Sequence, residues 1–390
     1  MKKKVRVAKI RTLSALFALI FALPVSWMGF TGLYTWLSPF IMLNSVLVLK
    51  SFVLLNAVAI VVLLLVIYKD RWFCRYLCPV GWGCDLVSEV KLRKSYFSKK
   101  LPDIGKWLVI SSLAAAVMGI PLFILLDPMA IFNGFFSVFS GKLTLAAIIS
   151  LSGLPIILAI HLIYPGIWCG KLCPLGGLQR LIRDIKILTY KLSGKNNSES
   201  VKSDSGRRLL IVSGLGLLAG LSIPKILKPA KTVNIRPPGS LPPDLFDTLC
   251  IRCGSCIKVC PTKILNHHTG TENMLAWMTP EVTFEKGYCL ETCNLCSRVC
   301  PSGAINLFSI EAKNEIFMGT AEIHLKDCLL LNNTECDRCK TSCKYDALDI
   351  IPVEQSLLMK PAVIAEKCVG CGACAVICPV SVIGIRGFGI

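Results

Sequence analysis

Apolar and polar positions divide this chain into two unlike halves. Apolar runs cover residues 12–39, 44–68, 107–126 and 143–164, and a shorter, glycine-rich one covers 209–227. Each of the first four is long enough for a helix of the ~20 residues that cross a hydrocarbon core. Beyond residue 228 such runs stop, and short Ile-, Val- and Leu-rich segments alternate with turn residues, the pattern of small strands and helices. The pattern predicts an α-helical membrane domain of about five transmembrane helices followed by an α+β domain. The first four helices fall in residues 1–192, a linker and the fifth in 193–228, a proline-rich spacer in 229–249 and the α+β domain in 250–390.

Charge sharpens this division. Residues 1–234 hold 29 Lys+Arg against 8 Asp+Glu, and residues 235–390 hold 14 against 16. A nucleic-acid binder would not split this way, whereas basic loops between apolar helices would. Residues 1–11 carry six basic side chains, 69–106 nine and 166–208 nine, while 128–142 carries only Lys142. By the positive-inside rule the first segment and both basic loops are cytoplasmic. The first apolar run is too long for a signal peptide and lacks an A-x-A-like site, so it reads as a retained span. Arg207-Arg208 stands directly before the fifth run. It reads as a twin-arginine export signal or as an ordinary basic flank, and either places the last domain on the extracytoplasmic side of the cell membrane.

The cysteines carry the chemistry. Of 21, sixteen lie between residues 250 and 378. The most regular stretch is Cys368, Cys371, Cys374 and Cys378 followed by Pro379, with Gly370, Gly372 and Ala373 between them. This is the bacterial [4Fe–4S] ferredoxin run, whose fourth cysteine commonly serves a second cluster. Small residues let the backbone wrap the cluster closely. Three further motifs precede it: Cys250, Cys253, Cys256, Cys260; Cys289, Cys293, Cys296, Cys300; and Cys328, Cys336, Cys339, Cys343, where Lys344 replaces the proline. Sixteen thiolates match four [4Fe–4S] clusters, and such repeated spacing argues against a disulfide scaffold or zinc. Gaps of 28, 27 and 24 residues between motifs do not decide whether neighbours pair or the four nest.

Two short motifs repeat in the membrane half, Cys74-Arg-Tyr-Leu-Cys78-Pro79-Val-Gly81 and Cys169-Gly-Lys-Leu-Cys173-Pro174-Leu-Gly176. At spacing four both thiols of a pair share a helical face. The two pairs are expected to meet at the cytoplasmic surface and hold one further iron–sulfur site; a redox dithiol or buried apolar cysteines are the alternatives. Cys84 receives no role. His161 lies inside the fourth span, beside a quinone or as a packing residue, and no second histidine is there to complete a haem. His267, His268 and His324 read as surface residues. There is no catalytic acid, base or nucleophile and no nucleotide fingerprint, so the chemistry belongs to the cofactors.

The four-span half with its two C-x-x-x-C-P motifs resembles NapH/MauN-type membrane ferredoxin-like proteins. The Arg207-Arg208 pair and four cysteine motifs resemble NapG/MauM-type polyferredoxins. The chain looks like a fusion of the two, without the cytoplasmic two-cluster domain that ends a NapH-type protein. The resemblance implies a quinol dehydrogenase component that passes electrons from the quinol pool of the lipid membrane to a periplasmic reductase or multihaem cytochrome. It also allows a redox maturation factor for a periplasmic metalloenzyme. Related four-cluster subunits of molybdenum oxidoreductases imply nested pairing, Cys250–Cys260 with Cys368–Cys378.

Overall fold

The computed structural model describes residues 2–23, 30–88, 101–140, 144–192, 204–226, 234–270, 273, 275–285, 287–332, 334–353 and 358–387. The basic stretch 89–100, the linker 193–203 and the first part of the proline-rich spacer lie outside these, as do the side chains of Arg207 and Arg208.

The apolar runs become helices, but not one helix each. α1 spans Lys2–Ala22 and covers only the first part of the 12–39 run. The 44–68 run is two helices, α2 (Pro39–Leu49) and α3 (Ala57–Tyr68). Ser38 caps α2 with Pro39 at its first position, and Lys50 ends it in the left-handed conformation with φ 51°. α4 (Trp72–Tyr76) and α5 (Pro79–Ser88) carry the first cysteine pair region. α6 (Ile104–Val117) stops before Gly119, whose φ of 93° suits glycine. Residues 128–137, expected as part of an outside loop, form a buried helix, α7 (Pro128–Ser137). Asp127 caps it by accepting from the Met129 N–H at 2.8 Å, and Ser38 Oγ donates to the same carboxylate at 2.6 Å. The sequence signal was the apolar content of the segment, Phe132, Phe135 and Phe136 above all, which outweighs its one glycine, Gly134.

α8 (Leu145–Ile163), α9 (Pro174–Leu192) and α10 (Asp204–Ile226) complete this half. Among the described residues α8 alone is long and apolar enough to cross a membrane; Pro39–Leu49, Leu54–Tyr68, Ile104–Val117 and Leu210–Ser222 are shorter apolar helices. α10 lies on α6 through Gly216 and Gly220, where an added Cβ would come within 2.7 Å of Ser111 and 3.1 Å of Met118. This small-x-x-x-small face brings two backbones close.

Among the described residues the cysteine-rich half holds three two-stranded antiparallel sheets: β1 (Leu265–His267) with β2 (Pro280–Val282), β3 (Gly319–Ile323) with β6 (Ile383–Gly387), and β4 (Leu348–Pro352) with β5 (Met359–Val363). One core gathers Phe246, Leu249, Ile257 and Val282 around cysteines of the first two motifs. A second gathers Ala347, Leu348, Val382 and Ile383 around those of the last two. The first core docks on the helices, where Asn56 Nδ2 donates to the Pro301 carbonyl at 2.8 Å and Trp36 Nε1 to that of Val299 at 3.4 Å.

Candidate iron–sulfur sites

Each ferredoxin-type motif places its third cysteine on a short helix. Gly254 (φ 66°) precedes α11 (Ser255–Val259), and Gly372 (φ 83°) precedes the equivalent helix Ala373–Ile377. Only a residue without Cβ enters these turns without strain. The fourth cysteine of each motif leaves its own loop. Cys250, Cys253 and Cys256 line a cavity of about 30 Å³ with Cys300 from the second motif. Cys368, Cys371 and Cys374 line one of about 20 Å³ with Cys343 from the third. Cys328, Cys336 and Cys339 line another of about 20 Å³ with Cys378 from the fourth. The remaining four also converge: after burial, charge on Cys289, Cys293 and Cys260 pushes the Cys296 thiol up.

Neighbouring motifs therefore exchange their fourth cysteines, and the nested pairing is corrected. The reason is local. β1 and β2 return the chain within the first unit, and β3, β4, β5 and β6 close the second, so each pair of motifs builds its own core.

These thiols suit an iron–sulfur core. Burial pushes Cys250 up to about 12, Cys371 to about 11 and Cys374 to about 12. Thiols pushed up in this way resist ionising unless a cationic core lies among them. Backbone N–H groups already point at the sulfurs: Ile305 donates to Cys300 at 3.4 Å, Ala321 to Cys368 at 3.4 Å and Ala347 to Cys343 at 3.3 Å. Hydrogen bonds to sulfur are one lever on cluster potential. Lys344, in place of the usual proline, leaves Cys343 in its set.

The two pairs of the helical half meet as expected. Cys74, Cys78, Cys169 and Cys173 line a cavity of about 380 Å³ with Arg11, Arg71 and Asp85. Cys74 and Cys78 flank the turn between α4 and α5; Cys169 lies in a π-helical turn (Trp168–Leu172) and Cys173 precedes α9. The glycine of each motif donates its N–H to the preceding cysteine, Gly81 to Cys78 at 3.2 Å and Gly176 to Cys173 at 3.4 Å. Burial, then the charge of Cys169, pushes Cys74 up to about 11. Burial and the charges of Cys74, Cys169 and Cys173 push Cys78 up further. Cys84 is fully buried against this group.

α7 connects the two kinds of site. Pro128, its first residue, lines the large cavity. Asn133, five residues on, donates to the Cys253 carbonyl at 3.1 Å and to Ser255 Oγ at 2.7 Å. Its Oδ1 accepts from the buried Lys258, which also donates to the Ala22 carbonyl at 3.1 Å. His267 and His268 are buried rather than exposed. His267 Nε2 meets Ser137 Oγ at 3.1 Å across the same interface, and His268 Nδ1 meets Glu281 at 2.6 Å. His324 is exposed as expected. His161 Nε2 accepts from the Gly166 N–H at 3.2 Å.

Comparison with known proteins agrees with this division. A family profile described as a 4Fe-4S dicluster domain matches residues 249–304 and 333–382. A second, described as a 4Fe-4S binding domain, matches residues 51–100 and 146–194. The ferredoxin-type protein NapG of Escherichia coli (strain K12) is 31% identical over 198 residues, which are 46% of this chain and 84% of that protein. The methylamine utilization ferredoxin-type protein MauM of Methylophilus methylotrophus is 30% identical over 171 residues, 41% of this chain and 73% of that one. The ferredoxin-type protein NapF of Escherichia coli (strain K12) is 35% identical over 151 residues, 38% and 83% of the two chains. No solved structure matches the chain. With cysteine sets built for [4Fe–4S] clusters and this extent of similarity, the chain belongs to the NapG/MauM family of ferredoxin-type electron-transfer proteins.

Proposed function

We propose that the chain is a membrane-bound electron conduit that accepts electrons from membrane quinol and delivers them to an extracytoplasmic reductase or cytochrome. Its ligand sets are Cys250, Cys253, Cys256 with Cys300; Cys289, Cys293, Cys296 with Cys260; Cys368, Cys371, Cys374 with Cys343; and Cys328, Cys336, Cys339 with Cys378. Cys74, Cys78, Cys169 and Cys173 hold a fifth iron–sulfur site. Bound clusters supply one-electron transfer without bond making or breaking.

The observation that carries this reading is the continuity of contact from one set to the next. α7 runs from the large cavity to Cys253, and Pro128 to Asn133 is a rise of only ~7.5 Å at 1.5 Å per residue. Within each unit the exchanged fourth cysteine joins two sets. Between units the Cys289 N–H donates to the Cys371 carbonyl at 2.9 Å. The chain's own residues hold this line: Asn133 and Ser137 fix the first set against the helices, and Arg252, bonded to the carbonyls of Trp277 and Leu275 at 2.8 and 2.7 Å, braces its loop.

A membrane location is supported by exposed apolar side chains on four helices, among them Leu13, Leu64, Ile148 and Leu215. The cysteine-rich half docks on α7 and beside the beginning of α3, whose far end leads into the first cysteine pair. With basic loops at that far end, the ferredoxin units take the extracytoplasmic side.

Addition of a quinol analogue to anaerobic membranes tests the reading. Reduction of the ferredoxin-type clusters is expected, and clusters that respond only to a strong reductant would remove quinol as donor. Similarity to MauM supports a second reading, a redox maturation factor. A deletion strain would then contain partner enzyme lacking its cofactor, rather than complete enzyme starved of electrons.

A further inference from the structure

Lysine is almost never fully buried without a partner, and Lys313 is only 2% exposed. It lies in the 3-10 turn Glu311–Glu315, which sends Glu311 and Glu315 out to solvent and the lysine in. Its ammonium donates to the carbonyls of Leu290 and Cys293, in the loop that carries the second cysteine motif. Asn294 of the same loop, also buried, donates back to the Phe308 carbonyl at 2.7 Å. The segment before and around the turn is thus bound to the ligand loop from both sides. Among the described residues no carboxylate pairs with Lys313; the ion pairs of the cysteine-rich half join Arg236 to Asp247, His268 to Glu281, Lys340 to Asp349 and Arg386 to Glu322.

Burying an ammonium is costly unless a countercharge lies near, and carbonyls compensate only in part. The countercharge at hand is the Cys289, Cys293, Cys296 and Cys260 set. Four thiolates around an iron–sulfur core are net negative, and more so once the core takes an electron. We propose that Lys313 is a positioning residue whose fixed positive charge holds this loop and raises the reduction potential of its cluster above those of the second ferredoxin unit. Net charge and hydrogen bonding around the sulfurs set cluster potential, and a cation favours the more negative, reduced form.

The sets of the second unit have no such group. Arg338, Lys340, Lys344 and Lys367, beside the third and fourth motifs, are exposed, so water and salt screen them. Among the described residues beyond Lys313 no lysine or arginine is buried. Lys258, the other buried lysine of the first unit, is engaged by Asn133 and the Ala22 carbonyl at the junction with the helices. The Cys289 N–H bonds the Cys371 carbonyl, so the set that Lys313 serves is the one facing the second unit. Electrons on the proposed conduit therefore collect at this junction and move on when an acceptor oxidises the second unit. That direction of flow rests on the conduit reading; the order of potentials rests only on the ligand sets.

Redox titration of the full-length, anaerobically purified protein, followed by electron paramagnetic resonance, tests this. Cys260→Ala identifies the signal of the set by removing it, and Cys343→Ala and Cys378→Ala do the same for the second unit. In wild type the first signal is expected to titrate at the higher potential; the reverse order overturns the proposal. Lys313→Met keeps the stem without the charge, Lys313→Gln keeps a donor without the charge, and Lys313→Arg keeps the charge. The two neutral variants are expected to hold wild-type iron and to lower this one midpoint by about 59 mV or more, a tenfold change in a one-electron equilibrium. Lys313→Arg is expected to stay near the native value. An unshifted midpoint in a neutral variant that keeps its iron overturns the proposal, as does an equal shift in Lys313→Arg. Loss of about four irons from both neutral variants would make the lysine purely structural and also overturn it. Membranes that quinol fails to reduce would remove the donor and leave these midpoints in place.

Discussion

The Cys289 N–H donates to the Cys371 carbonyl at 2.9 Å, tying the second cysteine motif to the fourth. The Phe284 ring covers Gly372 so closely that no side chain fits there. The two ferredoxin units thus meet backbone to backbone at the loops that carry their cysteines. Gly372 also has a φ of 83°. Replacement by valine is expected to strain the turn and part the units, at a cost of about 1–3 kcal/mol for overpacking. Iron content should hold while electron equilibration between the units slows, which flash reduction would read.

Exchange of fourth ligands makes a specific prediction about which thiols become free. Cys300→Ala is expected to remove about four iron atoms, one cubane. The thiols that then react with an alkylating agent are Cys250, Cys253 and Cys256, far away in sequence, while Cys289, Cys293 and Cys296 stay protected. Mass-spectrometric mapping distinguishes the two outcomes.

Asn133 satisfies three groups at the junction between the halves: the Cys253 carbonyl, Ser255 and Lys258. In Asn133→Leu these lose their partner and Lys258 keeps only the Ala22 carbonyl. Buried polar groups left unsatisfied cost about 1–3 kcal/mol each. The expected result is a lower melting temperature and faster proteolysis between the halves.

His267 gives the junction a pH dependence. Burial lowers it from the ordinary 6.5, so the folded protein binds its proton less readily than the unfolded chain. Below pH 6.5 the unfolded state then binds more protons, and stability falls as pH falls. Above that pH both states are neutral and the effect vanishes. Melting temperatures between pH 7.5 and 5 are expected to decline less in His267→Asn than in wild type.

Gly216 and Gly220 let α10 lie directly on α6. Gly216→Leu is expected to separate these helices, since the nearest atoms are Ser111 backbone that cannot swing away. Cysteine crosslinking between the two helices would read the loss. An α10 that served only as an export signal would tolerate the change.

Much of this was legible in the residues, and the limits have physical causes. Cysteine spacing is a local property and identified all four motifs and both C-x-x-x-C-P pairs. The pairing of motifs depends on which strands close each core, and gaps of 28, 27 and 24 residues hold no information about that. Apolar runs identified the helices but not the break after Lys50, where one left-handed residue turns the chain. α7 sits in a stretch whose low charge resembles an outside loop, although Phe132 and Phe136 pointed inward. The burial of His267 needed knowledge of Ser137, 130 residues away.

On the proposed route, electrons leave the helical half through the Cys250, Cys253, Cys256 and Cys300 set and reach the other sets only from there. Quinol reduction of anaerobic membranes containing Cys300→Ala tests this step. The remaining ferredoxin-type clusters are expected to stay oxidised with quinol analogue yet reduce with dithionite, while wild type reduces with both. Reduction of those clusters by quinol at the wild-type rate would contradict it.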